Sequence, residues 1–157
     1  MTSAPYAFVR NAKQKPLRVL IVDDEPDFLQ LIAFSLEEQG YRVLTASNGL
    51  EAVLKARRVQ PDAVVLDLMM PGLDGYSACE ILRRQLSTRT LPIIVVTAAT
   101  SEFSRLNALA AGANDFLTKP FSPQELVKRV GRLVDQSIDL QHAEEARARS
   151  DSDSFPS

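Results

Sequence analysis

Five short runs of apolar, mostly β-branched residues punctuate the chain, and a helical pattern follows each one. Leu17–Val22 reads Leu-Arg-Val-Leu-Ile-Val, nearly unbroken, as a central parallel strand buried on both faces requires. Pro26 then opens a helix, where its missing N–H costs nothing. Phe28, Leu31, Ile32 and Leu36 fall on one face of that helix, and Gly40 supplies its left-handed stop. Tyr41–Ala46 alternates more and is expected nearer a sheet edge. Asn48-Gly49 turns into a helix over 50–59 that puts Ala52, Val53 and Ala56 inward. Ala63–Leu66 is the third strand. Gly75–Leu86 predicts a third helix, with Ile81, Leu82 and Leu86 inward and Arg83 and Arg84 on a solvated face. Ile93–Val96 is the fourth strand, and Ser101–Ala111 the fourth helix, closed by Gly112. Asp115–Leu117 is a short fifth strand. Ser122-Pro123-Gln124-Glu125 has the cap, proline and early acid of a helix start. Leu126, Val127, Val130, Leu133 and Val134 line that helix, which can extend through Ile138 and Leu140 toward Arg149. The Ser/Asp-rich stretch Ser150–Ser157 is expected to be disordered.

Strands alternating with helices imply an α/β fold with a parallel sheet and helices on both faces. Right-handed crossovers narrow its topology further. The expected division is a flexible extension over 1–16, one domain over 17–136 and a polar tail over 137–157. Tyr6, Phe8 and Val9 in the extension are able to dock, but nothing in the sequence says where. With 45% hydrophobic residues the chain can build a core. Its net charge of −2 argues against direct nucleic-acid binding, which needs a clustered basic face. No run approaches the ~18 apolar residues of a membrane span, and the first sixteen residues lack the apolar segment of a secretory signal. The single cysteine, Cys79, cannot form an internal disulfide and reads as a buried thiol, so a reduced, cytoplasmic setting fits. His142, the only histidine, reads as a solvent-facing side chain.

Polar groups stand at the ends of four strands: Asp23 and Asp24 after the first, Asp67 after the third, Thr97 after the fourth and Lys119 after the fifth. Parallel strands point these ends the same way, to the rim where open α/β sheets bind ligands. If the first and third strands are neighbours, three carboxylates share one cleft. Their repulsion calls for a cation, and oxygen donors without His or Cys favour a hard ion such as Mg²⁺, with Mn²⁺ as a substitute. A carboxylate can act as a nucleophile toward phosphorus. Thr97 and Lys119 can serve phosphoryl oxygens, which is the positioning and charge neutralisation that phosphoryl transfer needs.

Val22-Asp23-Asp24-Glu25, Leu66-Asp67-Leu68-Met69-Met70-Pro71-Gly72-Leu73-Asp74-Gly75, Val96-Thr97-Ala98 and Phe116-Leu117-Thr118-Lys119-Pro120-Phe121 together resemble the receiver domain of two-component response regulators, of the stand-alone chemotaxis-regulator kind. The likeness runs from Leu17 to Gln136. It implies a flavodoxin-like (βα)5 doubly wound sheet in the order 2-1-3-4-5. It also implies that Asp67 accepts a phosphoryl group from a sensor histidine kinase or a histidine phosphotransfer protein. By the same resemblance Asp24, Asp67 and the backbone carbonyl of Met69 hold Mg²⁺, with Asp23 acting through water. Thr97 and Phe116 match the switch pair, and Pro120 the proline after a cis peptide. Phe116 stands where many members carry Tyr, so an output contact through that hydroxyl is absent. Met69 and Ala99 match the positions that tune hydrolysis. Both are apolar and unable to orient water, so slow self-dephosphorylation is expected.

Two other readings compete. An Asp-nucleophile phosphohydrolase of the haloacid-dehalogenase kind usually places a second acid two residues after its nucleophile, and Met69 stands there. A degenerate receiver usually loses the acid, Thr or Lys position, and none is lost. The chain is therefore expected to be a phosphoacceptor regulator rather than an enzyme. It would signal to an unknown output protein through the face of the fourth helix, fifth strand and fifth helix, without membrane insertion. About twenty residues follow position 136, too few for a further domain. A stand-alone receiver is expected, with a fragment of a longer regulator or hybrid kinase as the alternative. The extended last helix leaves a homodimer open.

Overall fold

The computed structural model describes residues 15–98 and 101–154 of the chain. Tyr6, Phe8, Val9 and Ala99 lie outside the described residues. Five strand–helix units follow in order: β1 (Arg18–Val22), α1 (Pro26–Glu37), β2 (Arg42–Ala46), α2 (Gly49–Val59), β3 (Ala63–Asp67), α3 (Gly75–Arg84), β4 (Ile93–Thr97), α4 (Glu102–Ala110), β5 (Asp115–Thr118) and α5 (Pro123–Asp153). All strand pairs are parallel, in the order β2-β1-β3-β4-β5. This is the flavodoxin-like arrangement. The alternating strand, β2, lies at the edge and exposes Arg42 and Thr45. The unbroken apolar strands β3 and β4 are buried at every residue.

Side-chain alternation splits the core into two layers. Leu20, Val22, Leu66 and Val95 pack under α2, α3 and α4 through Ala52, Leu82 and Ala108. Val19, Ile21, Val65 and Val96 pack under α1 and α5 through Ile32, Leu36, Leu126 and Val130. Each fully buried Val, Leu or Ile stabilises the fold by roughly 1.5–3 kcal/mol. Helix starts follow local chemistry. The side chains of Asn48, Asp74, Ser101 and Ser122 each accept a backbone N–H three residues on, and Pro26 and Pro123 occupy first-turn positions.

Four expectations are corrected. Leu31 is 53% exposed, because the buried line of α1 runs through Ile32 and Leu36 and Leu31 falls one residue off it. Leu86 is 80% exposed. The Thr88 hydroxyl donates to the Leu82 carbonyl at 2.7 Å, and the chain turns extended at Gln85, so the helix ends before Leu86 can come round to the core. The stretch Ser150–Asp153, expected to be disordered, continues the helix α5.

The fourth concerns Arg83, which does not lie on a solvated face. Its guanidinium is drawn into the joint between α3, β4 and β5. It donates to the carbonyls of Gly112 at 2.8 Å, Leu91 at 2.6 Å and Arg89 at 3.2 Å, and to Asn114 Oδ1 at 2.8 Å. Burial pushes its pKa below the usual arginine value. Gly112 has φ +112, and a Cβ there would meet Arg83 Cγ at 2.5 Å, so the α4–β5 turn is shaped around this side chain. Removing the guanidinium strands several half-buried carbonyls. Arg83→Ala is therefore expected to lower the urea unfolding free energy by about 2–4 kcal/mol. Arg84→Ala, on the exposed neighbour, should stay within ~0.5 kcal/mol.

Candidate functional site

The acidic rim grows from where β1 and β3 stop. These strands are direct neighbours, with Val22 opposite Leu66. Asp23 follows β1 and is fully buried. Its backbone N–H donates to Ala46 O at 3.1 Å, and its Oδ1 accepts the Glu25 N–H at 2.9 Å. Asp24, next in the chain, is exposed. Asp67 closes β3, is 4% exposed, and accepts the Met69 N–H on Oδ1 at 3.1 Å. The loop beyond folds back tightly, with the Gly75 N–H on Leu68 O at 3.2 Å. A Cβ on Gly75 would stand 2.5 Å from the Asp67 carbonyl oxygen, so only glycine allows α3 to start so close behind the carboxylate.

Lys119 reaches this cleft from the far side. Its N–H donates to Thr97 O at 2.8 Å, which ties the turn after β5 to the buried end of β4. The peptide bond to Pro120 is cis. The Lys119 ammonium lies 2.8 Å from Asp23 Oδ2 and 3.5 Å from Asp67 Oδ2. It also sits 4.1 Å from the centre of the Phe28 ring, a cation–π contact. Phe28 in turn meets Phe121 edge to face at 5.9 Å and 89°, a favoured aromatic geometry. Sequence reasoning placed Phe28 only on the inner face of α1 and assigned Phe121 nothing. Their placement around the cis peptide depends on tertiary geometry, and the sole sequence hint is that each lies within four residues of a rim charge.

Electrostatics works against the charge on Asp67. Burial raises its pKa, and the negative charge of Asp23 adds to the rise, against the Met69 N–H and the Lys119 charge. For Lys119, burial alone would lower the ammonium pKa. The hydrogen bond to Asp23 and the charges of Asp67 and Glu25 outweigh it and hold the value above normal. One oxygen each from Asp23, Asp24 and Asp67 lies within 4.8 Å of the others. Three carboxylates against one ammonium leave two negative charges when all are ionised. An all-oxygen set of that charge, with one member open to solvent, fits a hard divalent cation.

The residues singled out at the strand ends thus come together at one rim. Thr97 is buried at the end of β4. Phe116, on β5, is half-buried against the layer under α2, α3 and α4. Met69 is 66% exposed at the mouth. Cys79 is a buried free thiol, and His142 is exposed on α5. Among the described residues no helix is long and apolar enough to cross a membrane.

Comparison with known proteins bears on the fold and the family. The family model described as the response regulator receiver domain matches residues 19–131. The alkaline phosphatase synthesis transcriptional regulatory protein PhoP of Bacillus subtilis is 44% identical over 120 residues, 76% of this chain and 49% of that protein. The transcriptional regulatory protein TrcR of Mycobacterium tuberculosis is 42% identical over 140 residues, 88% of this chain and 53% of that protein. The chain thus spans about half the length of these relatives. Among solved structures, the receiver domain of a Pseudomonas aeruginosa sensor histidine kinase has a magnesium ion coordinated in its active-site cleft. It superposes with a TM-score of 0.72 at 39% identity, covering 77% of this chain and 99% of that one. A putative response regulator from Chloroflexus aurantiacus gives 0.74 at 40% identity, covering 77% and 99%.

The raised pKa of Asp67 fixes the sign of its effect on stability. The folded state binds its proton more tightly than the unfolded state, so stability falls as pH rises from the unfolded carboxylate range through the folded value. Asp67→Asn is therefore expected to raise the denaturation midpoint at pH 7. The gain should vanish near pH 3, where Asp67 is protonated in both states. Denaturant melts at the two pH values test this.

Proposed function

The chain belongs to the response regulator receiver domain family, and we propose that it is a phosphorylation-dependent signalling switch with Asp67 as phosphoacceptor. A receiver domain is a regulatory phosphoacceptor rather than a classical enzyme. The observation that carries the residue assignment is the pairing of the Lys119 ammonium with both Asp23 and Asp67 at the mouth of an acidic cleft. The donor is a phosphohistidine on a sensor histidine kinase or a phosphotransfer protein. An Asp67 carboxylate oxygen attacks phosphorus and forms the O–P bond. The P–N bond breaks, and its electron pair stays on the imidazole nitrogen, giving an aspartyl phosphate and a free histidine. Lys119 neutralises one phosphoryl oxygen, and the Thr97 hydroxyl donates to another. Burial of Asp67 in a site of low dielectric strengthens both interactions.

Asp23, Asp24, Asp67 and the Met69 backbone carbonyl would hold Mg²⁺ or Mn²⁺. When bound, the ion supplies charge neutralisation between the carboxylates and the phosphoryl oxygens. Once Asp67 is phosphorylated, Thr97 is drawn toward the new oxygens and Phe116 turns into the space left under α4. Partner affinity then changes on the face of α4, β5 and α5. The switch is a shift between two populations, bounded by their free-energy difference. The support for this face is that Phe103 and Leu106 of α4 are 73% and 53% exposed.

We read the chain as a receiver that acts by protein contact in the cytoplasm. A second reading makes it the receiver part of a longer regulator. It is favoured by two observations: the relatives are about twice as long, and α5 projects as a helix to Asp153, as a linker would. A pull-down of the beryllofluoride-loaded protein against Asp67→Asn separates an output protein from a kinase among captured partners.

Acetyl phosphate with Mg²⁺ is expected to add one phosphoryl group to the wild-type protein and none to Asp67→Asn, read by intact mass. With Met69 and Ala99 both unable to orient water, the adduct should persist for minutes or longer. A lifetime of seconds in a phosphate-release assay would overturn the hydrolysis assignment.

A further inference from the structure

Helix α4 is the least anchored of the five. Among its described residues only Ala108 is buried, whereas α2, α3 and α5 each bury four side chains or glycines. Among the described residues, side-chain hydrogen bonds from Arg83 and Tyr76 reach it at two points. At its C-terminal end, the Arg83 guanidinium grips the Gly112 carbonyl at 2.8 Å and Asn114 Oδ1 at 2.8 Å, and Asn114 Oδ1 also accepts the Ile93 N–H at 2.8 Å. One side chain thus ties the end of α4 to the first residue of β4. Nearer the N-terminal end, the Tyr76 hydroxyl donates to the Ser104 carbonyl at 3.3 Å. Tyr76 stands in the first turn of α3, directly after Gly75, and so just beyond the loop that follows Asp67. Its ring and that of Phe116 pack against the same layer of core that receives Ala108.

These contacts differ in strength. The Arg83 grip is two short, charge-assisted bonds, one to the Gly112 carbonyl and one to Asn114 Oδ1, of the strong kind. The Tyr76 bond is single, neutral and long, of the weak kind. A rigid rod held firmly at one end and lightly near the other pivots about the firm end. We propose that Tyr76 is a latch on α4, and that Arg83 is the pivot about which the helix swings when the latch opens. The latch holds the N-terminal half of α4, the end that faces the phosphoacceptor rim, in the seat seen here. Opening it gives the Phe116 ring room beneath the helix. A single weak hydrogen bond biases a two-state equilibrium by roughly 2- to 10-fold. That is enough to tune a switch without locking it. The link to signalling rests on the phosphoacceptor reading above; the latch and pivot do not.

The test uses the full chain and Tyr76→Phe, which keeps the ring and removes only the hydroxyl. Amide hydrogen exchange is followed residue by residue without any ligand. The expected result is exchange about 2- to 10-fold faster across the Arg105–Ala108 amides, with Gly112 and Ala113 unchanged. Arg83→Lys should reverse the pattern, speeding exchange at Gly112–Asn114. Unchanged exchange in α4 of Tyr76→Phe, or an equal rise across the whole domain, overturns the latch. A second arm titrates beryllofluoride with Mg²⁺. Tyr76→Phe should bind about 2- to 10-fold more tightly than wild type, and equal affinity would overturn the latch as a bias on the switch. If wild type shows no binding, the phosphoacceptor reading falls, while the exchange result still decides the latch.

Discussion

Two carboxylates, Asp23 and Asp67, are buried at neighbouring strand ends within reach of one ammonium, Lys119. The ammonium is the member the group cannot lose. Removing one partner from a buried ion pair typically costs about 3–5 kcal/mol, because the other is left uncompensated, and without Lys119 both carboxylates are. The Glu25 and Met69 N–H groups each add one hydrogen bond to these carboxylates, and no buried side-chain polar atom among the described residues lacks a partner. Much of the rim serves this one constraint. Gly75 lets the chain pass behind Asp67, the Thr97 carbonyl fixes the Lys119 backbone, and Phe28 backed by Phe121 supports the ammonium. The fold places the charges, and the charges in turn fix the loops at that end of the sheet.

The apolar layers carry the opposite load. β3 and β4 are buried at every position, and the helices on both faces bury Ile32, Leu36, Leu82 and Leu126. That burial is what allows a site with a raised Asp67 pKa and an excess of negative charge to exist in a folded domain. Charge that the core tolerates unbound is also charge that a cation would relieve. On the proposed function, ligation and phosphorylation would both act on a charge balance held uphill locally, and that would give a small chemical change a route as far as α4.

Much of this was legible in the sequence, and the failures have physical causes. The strands were visible as apolar runs, and parallel strands following one another force their C-terminal ends to one rim. Asp23, Asp67, Thr97 and Lys119 therefore followed from position alone. The periodicity argument failed where a side chain is claimed by something outside its own helix. Arg83 reads as one of a charged pair on a helix surface, yet the carbonyls of Gly112 and Leu91, 29 and 8 residues away, draw it inward. Leu86 fits the helical spacing of α3, but the Thr88 hydroxyl ends the helix first. No local pattern encodes an acceptor contributed by another element. Ser150–Asp153 failed differently. Composition argued for disorder, whereas helix propagation is cheap once a long helix is nucleated.

The same distinction explains why α4, rather than any other helix, would suit the moving part of the proposed switch. A helix held by apolar burial resists displacement in proportion to the area it covers, since every ångström of movement opens a void or exposes carbon. With one buried side chain, α4 has little such resistance, and its position is set instead by discrete polar contacts. Discrete contacts are bistable: a hydrogen bond is made or it is not, whereas a packed surface loosens by degrees. Phe116 connects the two regimes, being half-buried in the layer beneath the helix and one strand away from the buried Thr97. In the proposed switch, a change in charge at Asp67 would meet a stiff sheet first and a polar joint second. The joint, being the weaker of the two, is where the structure yields.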